Sequence, residues 1–183
     1  MRFSDTKIPG VILIEPELLE DPRGFFARIF CCEEFKARGL VDHVEQTSLS
    51  FNHRRGTVRG MHFQTAPHEE TKVVACVEGR IFDVAIDLRL PSPTFGQWFG
   101  IELSSDNRRQ VYLPAGIAHG FQTLEDHSTV LYQISTPFHP ESARGLRWND
   151  PKVNVAWPIA DDVIVSDKDG AWPEWARVVS ELS

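Results

Sequence analysis

The sequence predicts an all-β fold, either an antiparallel sandwich or a barrel. First, the centre of the chain contains eight short runs that are rich in β-branched and aromatic residues. Second, Gly, Pro, Asn or Asp separates these runs, as expected for tight turns. Third, no repeat, linker or shift in composition divides the 183 residues, 42% of which are hydrophobic. We therefore expect one domain, 1–183, built around one core.

The N-terminal part of the chain predicts short elements. Residues 11–14 follow a Pro-Gly break and indicate an entry strand. The Asp-Pro-Arg-Gly sequence at 21–24 is typical of a turn, and it leads into a predicted strand over 25–30. Residues 32–38, which end at a glycine, predict the first helix.

The central part of the chain predicts strands, and the tail predicts mostly loop. The eight predicted strands cover residues 44–52, 57–64, 72–77, 80–89, 95–103, 110–113, 120–124 and 129–136. After these we expect a loop with one short strand at 163–165. A helix over 173–181 should follow, because it would begin with a proline, which suits the first turn of a helix.

Charge and composition argue against several function classes. Acidic residues number 26 and basic residues 19, so the net charge is -7 and the clustered positive charge of a nucleic-acid-binding surface is not expected. No segment approaches the roughly 20 apolar residues that cross a bilayer, and the N-terminus lacks a signal-peptide pattern. We therefore expect a cytoplasmic protein without a nucleic-acid or membrane partner. The three cysteines, two of them adjacent, indicate neither a disulfide framework nor a Cys-x-x-Cys metal site.

Polar side chains within the predicted strands indicate a polar cavity. Small barrels bind ligands inside the mouth, and inward positions alternate along each strand. The candidates are Gln46, Ser48, Ser50, Arg59, His62, Lys72, Asp83, His119 and Tyr132. The same alternation turns every other residue towards solvent, and this alternative stays open for Ser50 and Asp83.

Two histidines, far apart in the sequence and each at the edge of a predicted strand, suggest one pocket. His62 follows Arg59 by three residues, so an ideal strand would place the two side chains on opposite faces. Either Gly60 marks a β-bulge, or one of the two residues lies at the end of the strand. His119 belongs to the second stretch, 113–121.

The two histidines resemble the metal ligands of cupin barrels, in which an early His-x-His, a later Glu and a late His bind a divalent ion. Gln64 stands at the second position of the early pair, so one ligand is missing. Glu69 and Glu70 could substitute, but Lys72 nearby would repel a cation. We expect no metal.

A longer series of motifs follows in one order to about residue 170. The motifs are Asp21-x-Arg23-Gly24-Phe25-Phe26, Arg59-Gly60-Met61-His62-x-Gln64, Lys72-Val73-Val74, Gly79-x-Ile81-x-Asp83-Val84-x-Ile86-Asp87-Leu88-Arg89, Ser92-Pro93-Thr94-Phe95-Gly96, Pro114-x-Gly116-x-Ala118-His119-Gly120-Phe121, Tyr132, Trp148-Asn149-Asp150-Pro151, Trp157-Pro158 and Ser166-x-Lys168-Asp169. Together they resemble the dTDP-4-dehydrorhamnose 3,5-epimerase family. The resemblance implies a cupin-type jelly-roll barrel with a few short peripheral helices, which acts as a homodimer without metal or cofactor. It also implies an isomerase of a nucleotide-linked 4-keto-6-deoxyhexose in deoxysugar biosynthesis of the dTDP-rhamnose type.

The resemblance assigns four catalytic residues. Epimerisation removes a proton next to the ketone and returns one to the other face, so it needs a base, an acid and a donor for the enolate oxygen. His62 matches the base, because an unperturbed imidazole has a pKa of about 6.5, and Asp169 matches its carboxylate partner. Lys72 matches the residue that faces the enolate. Tyr132 matches the acid, although a core tyrosine bonded to a neighbouring strand remains the alternative.

The resemblance also assigns substrate contacts. The matching residues are Arg23, Phe26, Gln46, Ser48, Arg59, His119, Phe138 and Lys168. The cations and donors among them suit a diphosphate, and Phe138, in a proline-rich loop, matches an aromatic residue that stacks on the base. Arg23 is expected to enter the site of the other subunit.

Three positions depart from the family pattern. Arg28 and Ala143 stand where the family usually has glutamates, and Ser48 stands where it usually has an asparagine. These changes leave the sugar, the nucleotide and the epimerised carbon open. A ketoisomerase that uses the same enolate, or a sugar-binding cupin without catalysis, are the alternative functions.

Overall fold

Two antiparallel sheets face each other in the computed structural model, which describes residues 1–182. The strands are β1 (Arg2–Asp5), β2 (Ile12–Glu15), β3 (Leu18–Asp21), β4 (Gly24–Ala27), β5 (Gln46–Asn52), β6 (Val58–Gln64), β7 (Lys72–Glu78), β8 (Arg80–Asp87), β9 (Trp98–Ser104), β10 (Gln110–Leu113), β11 (Ile117–Thr123), β12 (Ser128–Ile134) and β13 (Ala143–Gly145). The helices are α1 (Cys32–Lys36), α2 (Asp167–Gly170) and α3 (Trp175–Leu182). None of the helices in this part of the chain has the length and apolar character needed to cross a membrane.

The order of the strands explains how distant parts of the chain meet. One sheet has six strands in the order β1-β2-β10-β7-β12-β5, and the other has five in the order β13-β6-β11-β8-β9. β3 and β4 form a separate two-stranded hairpin. Two facing antiparallel sheets with long-range pairings make up the jelly roll, which confirms the predicted all-β fold.

The main core lies between the two sheets. Along β8, Ile81 and Ala85 face this core, while Val84 and Ile86 face the C-terminal segment on the other side of the sheet. Both faces of β8 are therefore buried, which accounts for its nearly continuous apolar sequence. In β7, Val74 belongs to the same inter-sheet core. Lys72 lies two residues earlier on the same face, at the end where the core gives way to a cavity.

Helix α1 covers the outer face of the six-stranded sheet. Phe35 is fully buried, and its ring packs edge to face against two other rings. The distance between ring centroids is 5.6 Å to Phe3 and 6.1 Å to Tyr112. This helix was predicted over 32–38, which is two residues longer at its C-terminal end than the observed helix.

Several predictions of elements were incomplete. All eight predicted central strands are present, but β11 begins at Ile117 rather than at 120 and therefore contains His119. The predicted strand at 163–165 was wrong, because only Ile164 forms a bridge there, to Thr57. The sequence analysis missed β1, β3, β13 and α2, which are only three or four residues long. Elements of this length show little periodicity, so they are easily missed.

Candidate active site

A cavity of about 320 Å³ opens at one end of the space between the two sheets. Its lining residues are Ser48, Ser50, Arg59, His62, Phe63, Gln64, Glu70, Lys72, His119, Phe121, Tyr132, Ile134, Phe138, Ala143, Arg144, Lys168 and Trp172. His62 and His119 pair directly across β6 and β11, which confirms that the two histidine stretches build one pocket. Ser50 also faces the cavity. Asp83, whose orientation was open, is buried beneath it.

A β-bulge at Gly60 brings Arg59 and His62 to the same cavity. Opposite β11, Arg59 pairs with Phe121 and His62 pairs with His119, so two residues of β6 stand against Gly120 alone. Gly60 has a φ of +132°, and the Gly60–Met61 peptide bond is cis. A Cβ atom on Gly60 would lie 2.6 Å from the Cα of Gly120, so the bulge requires glycine.

His62 forms a hydrogen-bonded pair with Asp169. Its Nε2 lies 2.7 Å from Oδ1 of Asp169. The same Oδ1 accepts a hydrogen bond from Nε1 of Trp172, and Oδ2 accepts one from the backbone N–H of Gly60. Burial alone would raise the pKa of Asp169, but the hydrogen bond from His62 and the other two donors hold this pKa below its ordinary value of 3.8. The carboxylate is thus ionised at neutral pH. It therefore accepts from Nε2–H of His62, so the neutral tautomer that fits this contact carries its lone pair on Nδ1.

Helix α2 presents Asp169 to this pair. The hydroxyl of Ser166 caps the helix by accepting a hydrogen bond from the backbone N–H of Asp169 at 3.1 Å. This Ser-x-x-Asp spacing is a helix start signal that the sequence analysis did not use. Trp172, which follows α2, donates to Asp169 and meets the His62 ring edge-on. No signal in the sequence indicated this role of Trp172, because 110 residues separate it from His62 along the chain and only folding brings the two side chains together.

His119 and Tyr132 form a second polar group in the cavity wall. Nε2 of the buried His119 lies 2.7 Å from Oδ2 of the buried Asp83, and the Tyr132 ring stands edge-on to the His119 ring. Among residues 1–182 the Tyr132 hydroxyl has no hydrogen-bond partner, so the alternative of a core tyrosine bonded to a neighbouring strand is not observed. Removal from water raises the pKa of Tyr132, Asp83 raises this pKa further, and Arg59 opposes the shift.

Lys72 lies on the other sheet from His62 and is paired with a carboxylate. Its Nζ is 2.8 Å from Oε1 of Glu70, and only 11% of each side chain is exposed. Ile134 pairs with Lys72 across β12 and β7, and Tyr132 pairs with Val74, so Lys72 and Tyr132 lie close together in the same sheet.

The rim of the cavity holds most of the predicted substrate contacts. Phe138 is 58% exposed, and its backbone N–H donates to Oε1 of Gln46 at 2.8 Å. Gln46 therefore supports the Phe138 loop and is not among the residues that line the cavity. The side chain of Arg59 is held by Asn52 through Nε, and Nζ of Lys168 lies over the Trp172 ring.

Two predicted contacts lie away from the cavity of their own chain. Arg23 and Phe26 belong to the β3–β4 hairpin. The Arg23 side chain is 89% exposed and pairs with Asp21 at 2.6 Å. Of the three positions that depart from the family pattern, Ser48 and Ala143 line the cavity, whereas Arg28 pairs with Glu34 on the N-terminal segment.

Among residues 1–182, no group of three potential metal ligands includes His62 or His119. Nε2 of His62 and Nε2 of His119 are each engaged by a carboxylate. A second cluster, His68, His139 and Glu141, lies on the loops beside Phe138. The two imidazoles in this cluster are stacked face to face at 3.6 Å and 12°, so their in-plane lone pairs run side by side and do not converge on one ion.

Comparison with known proteins identifies relatives along nearly the whole chain. The family model for dTDP-4-dehydrorhamnose 3,5-epimerase matches residues 5–177. A dTDP-4-dehydrorhamnose 3,5-epimerase from Methanothermobacter thermautotrophicus is 42% identical over 173 residues, covering 93% of this chain and 92% of the relative.

Solved structures of sugar-nucleotide epimerases are also similar along nearly the whole chain. The dTDP-6-deoxy-D-glucose-3,5-epimerase of Legionella pneumophila, in complex with dTDP-4-keto-L-rhamnose, superposes with a TM-score of 0.93 at 36% identity, over 99% of this chain and 96% of that one. ChmJ, a 3'-monoepimerase from Streptomyces bikiniensis in complex with dTDP-quinovose, superposes with a TM-score of 0.89 at 32% identity, over 97% and 89% of the two chains. The chain belongs to the dTDP-4-dehydrorhamnose 3,5-epimerase family.

Proposed function

We propose that this chain epimerises a nucleotide-linked 4-keto-6-deoxyhexose at C3, C5 or both, through an enolate. One observation carries the proposal: His62 lies on the five-stranded sheet, Tyr132 lies on the six-stranded sheet, and both line the same cavity. A sugar bound between the sheets would meet a base on one side and an acid on the other. Inversion of a carbon centre by two separate groups uses this arrangement, because the proton leaves from one face and a proton returns to the other.

The proposed base is Nδ1 of His62. In the first step it removes the proton next to the 4-ketone, and the imidazolium that forms is stabilised by the ionised carboxylate of Asp169. Negative charge then develops on the ketone oxygen as the enolate forms. The Lys72 ammonium would donate to this oxygen, and such an interaction is stronger in a cavity with little water than in bulk solvent.

The proposed acid is the Tyr132 hydroxyl. Its raised pKa keeps it protonated at neutral pH, so it can deliver a proton to the opposite face of the enolate. The proton taken by His62 passes to solvent, and Tyr132 is reprotonated, so the sugar changes configuration without any net loss or gain of atoms. Arg59, His119 and Lys168 supply positive charge or hydrogen-bond donors for the diphosphate, and Phe138 supplies a ring for the base.

The test uses a panel of 4-keto-6-deoxyhexose nucleotides in deuterated water, with NMR as the readout. We expect the wild-type protein to introduce deuterium at C3, at C5 or at both, and His62→Ala to lose at least about a hundredfold in this exchange. The panel also identifies the sugar, the nucleotide and the carbon together. The relatives are named as 3,5-epimerases and as a 3'-monoepimerase, so their names leave the carbon open.

Three results would contradict the proposal. Exchange at the wild-type rate in His62→Ala would remove His62 as the base, and binding without any exchange in the wild-type protein would favour a sugar-binding cupin. A product in which the keto group has moved to another carbon would identify a ketoisomerase. His43→Ala serves as the control for loss of an imidazole outside the cavity, and we expect wild-type exchange from it.

We also propose that the protein acts as a homodimer in which Arg23 and Phe26 reach the partner's cavity. The support is the position of the β3–β4 hairpin, which stands outside both main sheets and exposes large apolar side chains. Leu19 and Phe26 are each 67% exposed, and Leu49 on β5 is exposed to the same extent. Apolar surface of this kind is typical of protein–protein contacts.

A further inference from the structure

We propose that Glu70 is a positioning residue for the reaction, because it fixes the Lys72 ammonium at the point where the enolate oxygen forms. This inference rests on the proposed function. It concerns a carboxylate that lies in the cavity wall and that the mechanism above does not use.

The Glu70 carboxylate is itself held in place. Oε1 bonds Lys72 at 2.8 Å, and Oε2 accepts a longer hydrogen bond of 3.4 Å from Nε2 of Gln64. The Gln64 amide is fixed in turn, because its Oε1 accepts from the backbone N–H of His139 and its Nε2 donates to the carbonyl of His68. A chain of contacts therefore runs from the rim loops through Gln64 and Glu70 to the ammonium of Lys72.

The position of Lys72 makes this support necessary. Its side chain is only 11% exposed, and a buried ammonium without a partner is strongly unfavourable. Among residues 1–182, Glu70 is the carboxylate with which Lys72 forms an ion pair. The lysine side chain is also flexible. Without the ion pair it would lose rotamer freedom whenever its ammonium bound the enolate oxygen in the transition state.

The hydrogen-bonding capacity of Lys72 leaves room for the substrate. An ammonium has three N–H donors, and Glu70 engages one of them, so the others remain available for a developing oxyanion. Because Glu70 holds the ammonium before the substrate binds, the donors are oriented in advance. Such preorganisation lowers the barrier of the chemical step and leaves the strength of ground-state binding nearly unchanged.

The experiment compares Glu70→Gln, Lys72→Met and the double variant in steady-state kinetics and in solvent deuterium exchange. We expect Glu70→Gln to lower kcat and the exchange rate by roughly ten- to hundredfold, with KM nearly unchanged. In the Lys72→Met background, the same Glu70 substitution should cause no further loss, because the group it positions is already absent. Glu69→Gln, which neutralises the exposed neighbouring carboxylate, is the matched control and should keep the wild-type kcat.

Two outcomes overturn the inference while leaving the proposed function intact. One is an active wild type with a folded Glu70→Gln variant that keeps the wild-type kcat. The other is an equal loss from the Glu70 substitution in both backgrounds, which would show that Glu70 acts independently of Lys72. If the wild type introduces no deuterium, the proposed function fails and this inference fails with it.

A second variant covers the case in which Glu70→Gln does not fold. Glu70→Asp keeps the negative charge but withdraws the carboxylate by one methylene group, so it should displace the ammonium. We expect the same direction of change, a lower kcat with KM nearly unchanged. A folded Glu70→Asp variant with wild-type kcat would overturn the inference.

Discussion

At the scale of the residue, Tyr132 illustrates how its surroundings shift the pKa of the proposed proton donor. Its hydroxyl faces a cavity, and removal from water together with the carboxylate of Asp83 makes the ionised form unfavourable. The same shift fixes the sign of its effect on stability. The unfolded protein loses this proton at its ordinary pKa of 10.0, whereas the folded protein keeps it, so folding becomes less favourable as the pH rises above 10.

The protein contains two tyrosines, which makes this shift measurable. We predict that Tyr132 contributes no tyrosinate absorbance to the native protein near pH 10. Titration at the tyrosinate absorption band should therefore give the same amplitude for the wild type and Tyr132→Phe while both remain folded, as followed by circular dichroism. A native wild type with one more ionising tyrosine than the variant would contradict the predicted direction of the shift.

The sequence predicted many of the residues that line the cavity, but it could not supply all of their contacts. Alternation within strands predicted a polar cavity, and family motifs then named His62, Lys72, Tyr132 and Asp169. The pairing of Lys72 with Glu70 was not predicted, because an ion pair at a strand end depends on side-chain conformations that spacing alone does not determine. The hydrogen bond by which Gln46 supports the Phe138 loop was not predicted for the same reason.

At the scale of the element, the bulge in β6 determines which side chains reach the cavity. The sequence left two explanations for Arg59 and His62, and the register opposite β11 supports the bulge at Gly60. The sequence of one strand cannot predict such a bulge, because a bulge is defined by the number of residues on the neighbouring strand that lie opposite it. The contact is close on both sides, because a Cβ on Gly120 would lie 2.7 Å from the carbonyl oxygen of Arg59.

We predict that Gly120→Ala destabilises the protein by about 2 kcal/mol, because the added methyl group meets backbone that cannot move without disturbing the bulge. Denaturant unfolding measures the change. Gly170→Ala is the control: the nearest atom to its added Cβ is 4.0 Å away, so we expect little change in the free energy of unfolding. Equal stability of the two variants would show that β6 and β11 can separate without cost.

At the scale of the whole molecule, the exposed β3–β4 hairpin provides a test of the proposed dimer. Arg23→Ala and His62→Ala should each be inactive alone if Arg23 serves the partner's cavity. Unfolded together and refolded as a mixture, they should regain about a quarter of wild-type activity, because about half of the dimers are mixed and each mixed dimer has one intact site. Activity no higher than that of the separate variants would exclude a shared site.

A mixture of His62→Ala and Tyr132→Phe provides the control for this experiment. Both residues line the cavity of one chain, so exchange of subunits cannot restore an intact site, and we expect no recovery. The contacts proposed for Arg23 and Phe26 do not follow from sequence spacing, because they would be made to a second copy of the chain. The single domain and the cytoplasmic location likewise stay predictions.

The placement of the proposed base and the proposed acid on different sheets has a consequence for how the protein can evolve. The distance between His62 and Tyr132 is determined by the gap between the sheets, and core side chains such as Phe121 and Val130 fill that gap. Exchanging a core residue for a larger or smaller one should therefore change the distance of both His62 and Tyr132 from a sugar bound between the sheets. Selection for turnover should act on interior volume as strongly as on the residues that touch the sugar.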